Sequence, residues 1–123
     1  VDVDDTRPIW VQLVGEFHRR ICTGDWAPGT RIPSVRELAL DLGVNPNTVQ
    51  RALGELDRES LTLTERTAGR FVTQDRSTID AAREALAATT TDTYIDSVAG
   101  IGLGLEDATR LLALRWAAKE ENQ

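Results

Sequence analysis

Asn47, Thr48, Gln50 and Arg51 fall inside one short stretch of the chain, and their side chains are of the types that match base edges in pairs. An amide presents a donor and an acceptor that fit adenine, and a guanidinium presents two donors that fit guanine, both in the DNA major groove. If the stretch is helical, Val49, Ala52, Leu53 and Leu56 follow one another at spacings of three, one and three and form a buried stripe. The four polar residues then share the solvent face. Arg66 and Arg70 flank a Thr67-Ala-Gly69 turn further on, where cations can lie beside phosphates.

Other chemistry is poorly supported. Cys22 is the only cysteine and His18 the only histidine, which excludes an internal disulfide framework and a cysteine-cluster metal site. No nucleophile stands with a partner base, and the carboxylates sit at ordinary spacing on solvated helix faces, so catalysis is not expected. The Gly100-Ile-Gly-Leu-Gly cluster follows a helical pattern instead of a strand and lacks the rest of a nucleotide fingerprint, which makes it an interhelical loop. No metal or cofactor is expected.

The polar face needs elements to hold it. Ser34 can cap a helix bearing Val35, Leu38, Ala39 and Leu42, with Glu37 completing a capping box. Gly43 suits the left-handed residue of a tight turn, Asn45 or Asn47 can cap the next helix, and Pro46 fits its first turn. Downstream, Leu61-Thr-Leu-Thr-Glu-Arg alternates apolar and polar, and Arg70-Phe-Val-Thr returns after the turn. Upstream, Pro8 opens a helix to about Thr23 whose stripe is Ile9, Leu13, Phe17 and Ile21. Trp10 and Trp26 are expected to pack, Cys22 to act as a small buried hydrophobe, and His18 to sit in solvent.

The chain resembles the GntR family of bacterial transcription regulators, and more narrowly its small YtrA-type subfamily, from about Arg7 to Thr73. The resemblance rests on Arg7-Pro-Ile-Trp-Val-Gln-Leu, on Gly24-Asp-Trp-Ala-Pro-Gly-Thr-Arg-Ile-Pro-Ser-Val-Arg-Glu-Leu-Ala and on Val44-Asn-Pro-Asn-Thr-Val-Gln-Arg-Ala. It implies operator DNA contacts from Arg36, from Asn45, Asn47, Thr48 and Gln50, and from Arg66 and Gly69 at the wing tip. Together with the residues read directly, the candidate DNA-binding set is Ser34, Arg36, Asn45, Asn47, Thr48, Gln50, Arg51, Arg66, Gly69 and Arg70. Two departures from the family pattern stand out. Ser60 holds a position usually occupied by Gly, which predicts strain or a reshaped helix end, and Thr67 and Arg70 replace a Gly and a Thr of the usual wing.

Beyond Asp75 the composition shifts to Ala, Thr and Leu. Ile79, Ala82, Leu86, Thr90, Thr93 and Val98 suit a helix to about Ala99, and the β-branched run Thr89–Thr93 weakens it and leaves open whether it is continuous or broken there. A last helix runs from Leu105 to about Glu120. Two such helices cannot bury their apolar faces alone, so a partner copy is the expected solution, and the family resemblance implies the same.

The fold expected is therefore mostly α with a small β-hairpin: a winged helix-turn-helix over residues 1–75 and a helical dimerisation segment over 76–123, with room for a small effector site of unidentified ligand. Net charge argues the other way, because a chain at −6 repels DNA at long range. Nine Arg face twelve acids in residues 1–75, and five basic groups face eight acids beyond them. The acids include Asp2, Asp4 and Asp5 in the N-terminal tail, and Glu55, Asp57 and Glu59 toward the far end of the third helix. The function expected is a dimeric repressor on a palindromic operator, with double-stranded DNA and a second copy as partners. The alternative is a winged-helix protein-interaction module, which would more often expose aromatic or aliphatic anchors. No apolar run is long enough to span a membrane and no charged-then-apolar leader is present, so the cytoplasm is the expected compartment.

Overall fold

The computed structural model describes residues 6–122, so the acids Asp2, Asp4 and Asp5 lie outside the described residues. Pro8 precedes α1 (Ile9–Cys22), whose buried face carries Leu13, Phe17 and Ile21, with Gln12 beside them. Ile9, expected at the head of this stripe, is exposed. Trp26 packs as its loop position suggests. Its ring stacks on Phe17 with centroids 5.2 Å apart, and the guanidinium carbon of Arg20 lies over the ring at 5.4 Å from the centroid.

The capping box at α2 (Val35–Leu42) forms as read: Glu37 N–H donates to Ser34 Oγ at 3.1 Å, and Ser34 N–H donates to Glu37 Oε1 at 3.4 Å. The helix ends at Gly43, φ 67°, a conformation that an L side chain would resist. Of the two candidate caps for α3 (Pro46–Arg58), Asn45 is the one used, its Oδ1 accepting from Asn47 N–H at 2.8 Å. The stripe of Val49, Ala52, Leu53 and Leu56 is wholly buried against α1 and α2.

The end of α3 resolves the Ser60 departure. Ser60 adopts φ 63°, its N–H donates to Asp57 C=O at 3.0 Å, and Leu61 N–H donates to Leu56 C=O at 3.0 Å. This paired pattern is the Schellman termination, with Ser60 in the position that glycine usually fills and Leu61 buried beside Leu56 in the core. The helix end keeps its shape, and the left-handed strain is carried by a serine.

A hairpin follows, β1 (Thr62–Glu65) and β2 (Gly69–Val72), antiparallel with Thr62 opposite Val72 and Glu65 opposite Gly69. Gly69 begins the return strand at φ 108°. The hairpin has a third participant. Arg31 bridges Phe71, Ile32 N–H donates to Arg70 C=O at 2.8 Å, and Val72 N–H donates to Thr30 C=O at 2.9 Å. The loop before α2 thus lines the outer edge of β2.

Asp75 opens α4 (Arg76–Ala99) by accepting from Ser77 N–H at 3.0 Å and Ser77 Oγ at 2.6 Å, and from Thr78 Oγ1 at 3.0 Å. The Ser77 and Thr78 hydrogen bonds hold its carboxyl below the usual carboxylate range. Ile79 is buried in the same core as Leu13 and Leu53, and Arg83 donates to Cys22 C=O at 2.8 Å. The first compact unit therefore runs to Glu84, past the Asp75 at which composition changes. Cys22 itself is half-buried, and burial pushes its thiol up. His18 is not a solvent-facing side chain: its Nε2 lies 2.6 Å from Glu59 Oε2, tying α1 to the end of α3.

The second unit, Ala85–Gln123, contains the rest of α4, a glycine-rich turn and α5 (Leu105–Glu121). The stretch Thr89–Thr93, left open by the sequence, has no break. The helix is continuous there, and Thr93 Oγ1 donates to Thr89 C=O at 3.1 Å, so the hydroxyl is satisfied on its own helix. Leu103 N–H donates to Val98 C=O and Gly102 N–H to Ala99 C=O, each at 3.0 Å, which makes the glycine cluster a helix stop. No residue of α5 is buried. No helix is long and apolar enough to cross a membrane among the described residues.

Candidate nucleic-acid interface

With its apolar stripe fixed in the core, α3 has only one way to face, and Asn47 and Gln50 stand exposed on its outer side with Thr48 half-buried between them. Arg51 shares the solvent face but is not loose. Its guanidinium carbon lies 4.1 Å from the centroid of the Trp10 ring on α1, a cation–π contact that fixes its direction. Asn45 and Ser34 have their side-chain oxygens engaged as caps, which leaves the Asn45 amide nitrogen and the Ser34 hydroxyl proton for other partners.

Arg36 on α2 and Arg66 in the hairpin turn are exposed, and neither forms an ion pair among the described residues. Arg70 is placed differently. Its Nε and an Nη reach Asp57 at 3.1 and 3.0 Å, and its side chain is only 15% exposed. Asp57 also accepts from Thr62 Oγ1. Arg70 therefore braces the hairpin against the end of α3.

Ser34, Gln50, Gly69 and Arg70, far apart in sequence, line one cleft of about 330 Å³ between the start of α2, the middle of α3 and the hairpin. Arg51 lies elsewhere, against α1, and so does not belong to this group. Four of the acids that weigh against DNA binding are engaged. Asp57 pairs with Arg70, Glu55 with Arg58 at 3.1 Å, Glu16 with Arg20 at 3.8 Å, and Glu59 is bonded to His18. Among the described residues, Arg31, Arg36 and Arg66 form no ion pair, and neither does the exposed Glu65 in the hairpin.

Three contributors went unread in the sequence. Arg31 sits in the loop before α2 with no helical period to mark it, and its bridge to Phe71, with the hydrogen bonds of Thr30 and Ile32 on either side, brings it to the hairpin. Trp10 and Asp57 act through partners on other elements, Arg51 and Arg70, and no local spacing signals such a pair. Among the described residues, no group of three or more His, Cys, Asp or Glu is placed to hold a metal ion.

Residues 11–72 match the family described as bacterial regulatory proteins, gntR family. The HTH-type transcriptional repressor YtrA of Bacillus subtilis is 36% identical over 78 residues, covering 63% of this chain and 60% of that protein. A GntR family transcriptional regulator from Listeria monocytogenes superposes with a TM-score of 0.81 at 35% identity, over 95% of this chain and 98% of that one. The structure of AraR(DBD) in complex with operator ORX1 superposes with a TM-score of 0.53 at 27% identity, over 59% of this chain and 89% of that one.

Proposed function

Because this chain belongs to the gntR family of bacterial regulatory proteins, a family of DNA-binding transcriptional regulators, we propose that it is a homodimeric repressor that occupies a palindromic operator in the bacterial cytoplasm. The observation that carries the reading is the outer face of α3. Asn47 and Gln50 are exposed on a helix whose opposite side is locked into the core, and the unpaired Arg31 lines the adjoining cleft, whose lining includes no carboxylate.

In this reading α3 enters the major groove, Asn47 and Gln50 read base edges, and Arg36 and Arg66 hold phosphates to set the register. Arg51, directed by Trp10, reaches the backbone from the α1 side. Arg70 keeps the wing at its angle through Asp57 and leaves the phosphates to its neighbours. The repressor role follows the likeness to the repressor YtrA, since a bound protein excludes polymerase from the sequence that it covers.

The second copy has a physical motive. Ile95, Leu111, Leu112, Leu114 and Trp116 are exposed in the second unit, and a helix of that length with nothing buried is marginal in water. Leu105, Ala108, Leu112 and Trp116 recur at three and four residues, as a packed face requires. Burying this face against its copy stabilises the helices and places two winged units on one dyad. The residue boundary proposed for the dimerising part is 76–123, with the first turns of α4 shared with the winged unit through Ile79.

The protein-interaction alternative is disfavoured because the outer face of α3 offers amides in place of large apolar anchors. Selection of random-sequence duplexes by the full chain tests the proposal. Enrichment of an inverted repeat supports it, and recovery of unenriched DNA overturns it.

A further inference from the structure

Arg31 is an exposed cation at the one place where the loop before α2 meets the hairpin. Its backbone bridges Phe71, and its guanidinium lies across the α-carbon of Gly69: a Cβ at position 69 would stand 2.8 Å from Arg31 Nε and 3.4 Å from an Nη. Gly69 is thus a seat as well as a turn residue. Its φ of 108° disfavours side chains, and the space a side chain would fill holds an arginine.

The seat turns Arg31 into the cleft beside Ser34, Gln50, Thr64 and Arg70. Of the two arginines there, Arg70 is neutralised by Asp57, whereas no carboxylate pairs with Arg31 among the described residues. The cleft therefore has one uncompensated positive charge, flanked by the hydroxyls of Ser34 and Thr64 and the amide of Gln50. That set suits an anion of single charge with several acceptor oxygens.

We propose that Arg31 binds a DNA backbone phosphodiester in this cleft, between the base-reading face of α3 and the wing, and that Gly69 is required to seat it. The inference rests on the DNA-binding reading above and extends it to an arginine outside the candidate contact set. Because the cleft adjoins Gln50, a phosphate held there fixes how deeply α3 sits in the groove. Arg31 supplies affinity and register, and base choice stays with the α3 amides.

The test uses the full chain and a selected duplex, titrated at several salt concentrations, with Arg31→Ala, Arg31→Gln and Arg31→Lys. Neutral variants are expected to weaken all sequences alike and to flatten the slope of log K against log salt by about 0.9 for each bound protomer. Arg31→Lys keeps most of the slope. A neutral methylphosphonate at the contacted phosphate weakens the parent and Arg31→Lys but not Arg31→Ala or Arg31→Gln, a pattern that lost folding does not produce. If the parent binds and the neutral variants keep its slope and its methylphosphonate profile, this inference falls while the DNA reading stands. If the parent selects no duplex, both fall.

Discussion

Arg70 on β2 and Asp57 in the last turn of α3 form a two-point ion pair, with donor to acceptor distances of 3.1 and 3.0 Å, between the wing and the helix that carries the base-reading amides. The carboxylate also accepts from Thr62 Oγ1 on β1, so one side chain gathers both strands of the hairpin. Arg70 stands where the family's usual wing has a threonine, and this chain gains a brace from the change.

If Arg70 is a brace, Arg70→Ala should lower stability by on the order of 1–2 kcal/mol, since two charge-assisted bonds are lost at a partly solvated site. Urea denaturation reads this as a lower midpoint. DNA affinity should fall with the wing loosened while the salt slope stays unchanged. A slope flattened as for a lost phosphate contact would return Arg70 to direct binding.

Ser60 makes the opposite prediction. A serine at φ 63° in a Schellman end carries left-handed strain of roughly 1–2 kcal/mol, partly offset by the greater chain entropy of glycine, about 0.5–1 kcal/mol. Ser60→Gly should therefore stabilise the protein by a few tenths to about 1 kcal/mol with DNA binding intact. A higher denaturation midpoint at unchanged slope checks it, and a lower midpoint would mean that the serine makes a contribution beyond its backbone.

The base-reading assignment separates from the phosphate assignment by which property changes. Asn47→Ala and Gln50→Ala should relax base preference, each lost pair removing roughly 1–3 kcal/mol of discrimination, whereas Arg36→Ala and Arg66→Ala should weaken every sequence and flatten the salt dependence. Titrations against single-base variants of a selected duplex report both. Unchanged preference in both amide variants would remove α3 as the reader.

What could be read in advance follows a physical division. Ser34 with Glu37, Asn45 with Pro46, Gly43 and the α3 stripe are local matters of caps, turns and period, and each formed where residue type demanded it. The helical continuity of Thr89–Thr93 was not legible, because propensity disfavours the run and the bond from Thr93 to Thr89 C=O compensates. The long-range pairs were hidden for another reason. Arg31 with Gly69, Arg51 with Trp10, His18 with Glu59 and Arg70 with Asp57 meet only after the elements pack. Three of these four join a candidate DNA-contact residue to a neighbour that orients it or is seated by it, and no local spacing could have shown those neighbours.

The central claim is that two copies place two α3 faces on one operator, and a hydroxyl-radical footprint of the full chain on a selected duplex tests it most directly. Two winged units on a dyad should protect two half-sites about one DNA turn apart, roughly 34 Å, or a multiple of it, with mirror symmetry about the centre. Introducing Leu111→Asp together with Leu112→Asp should abolish both protections at concentrations where the parent fills them, because each half-site loses the effective concentration supplied by the other. A single asymmetric protected segment with the parent chain, or an undiminished two-part footprint with the double variant, would contradict the account.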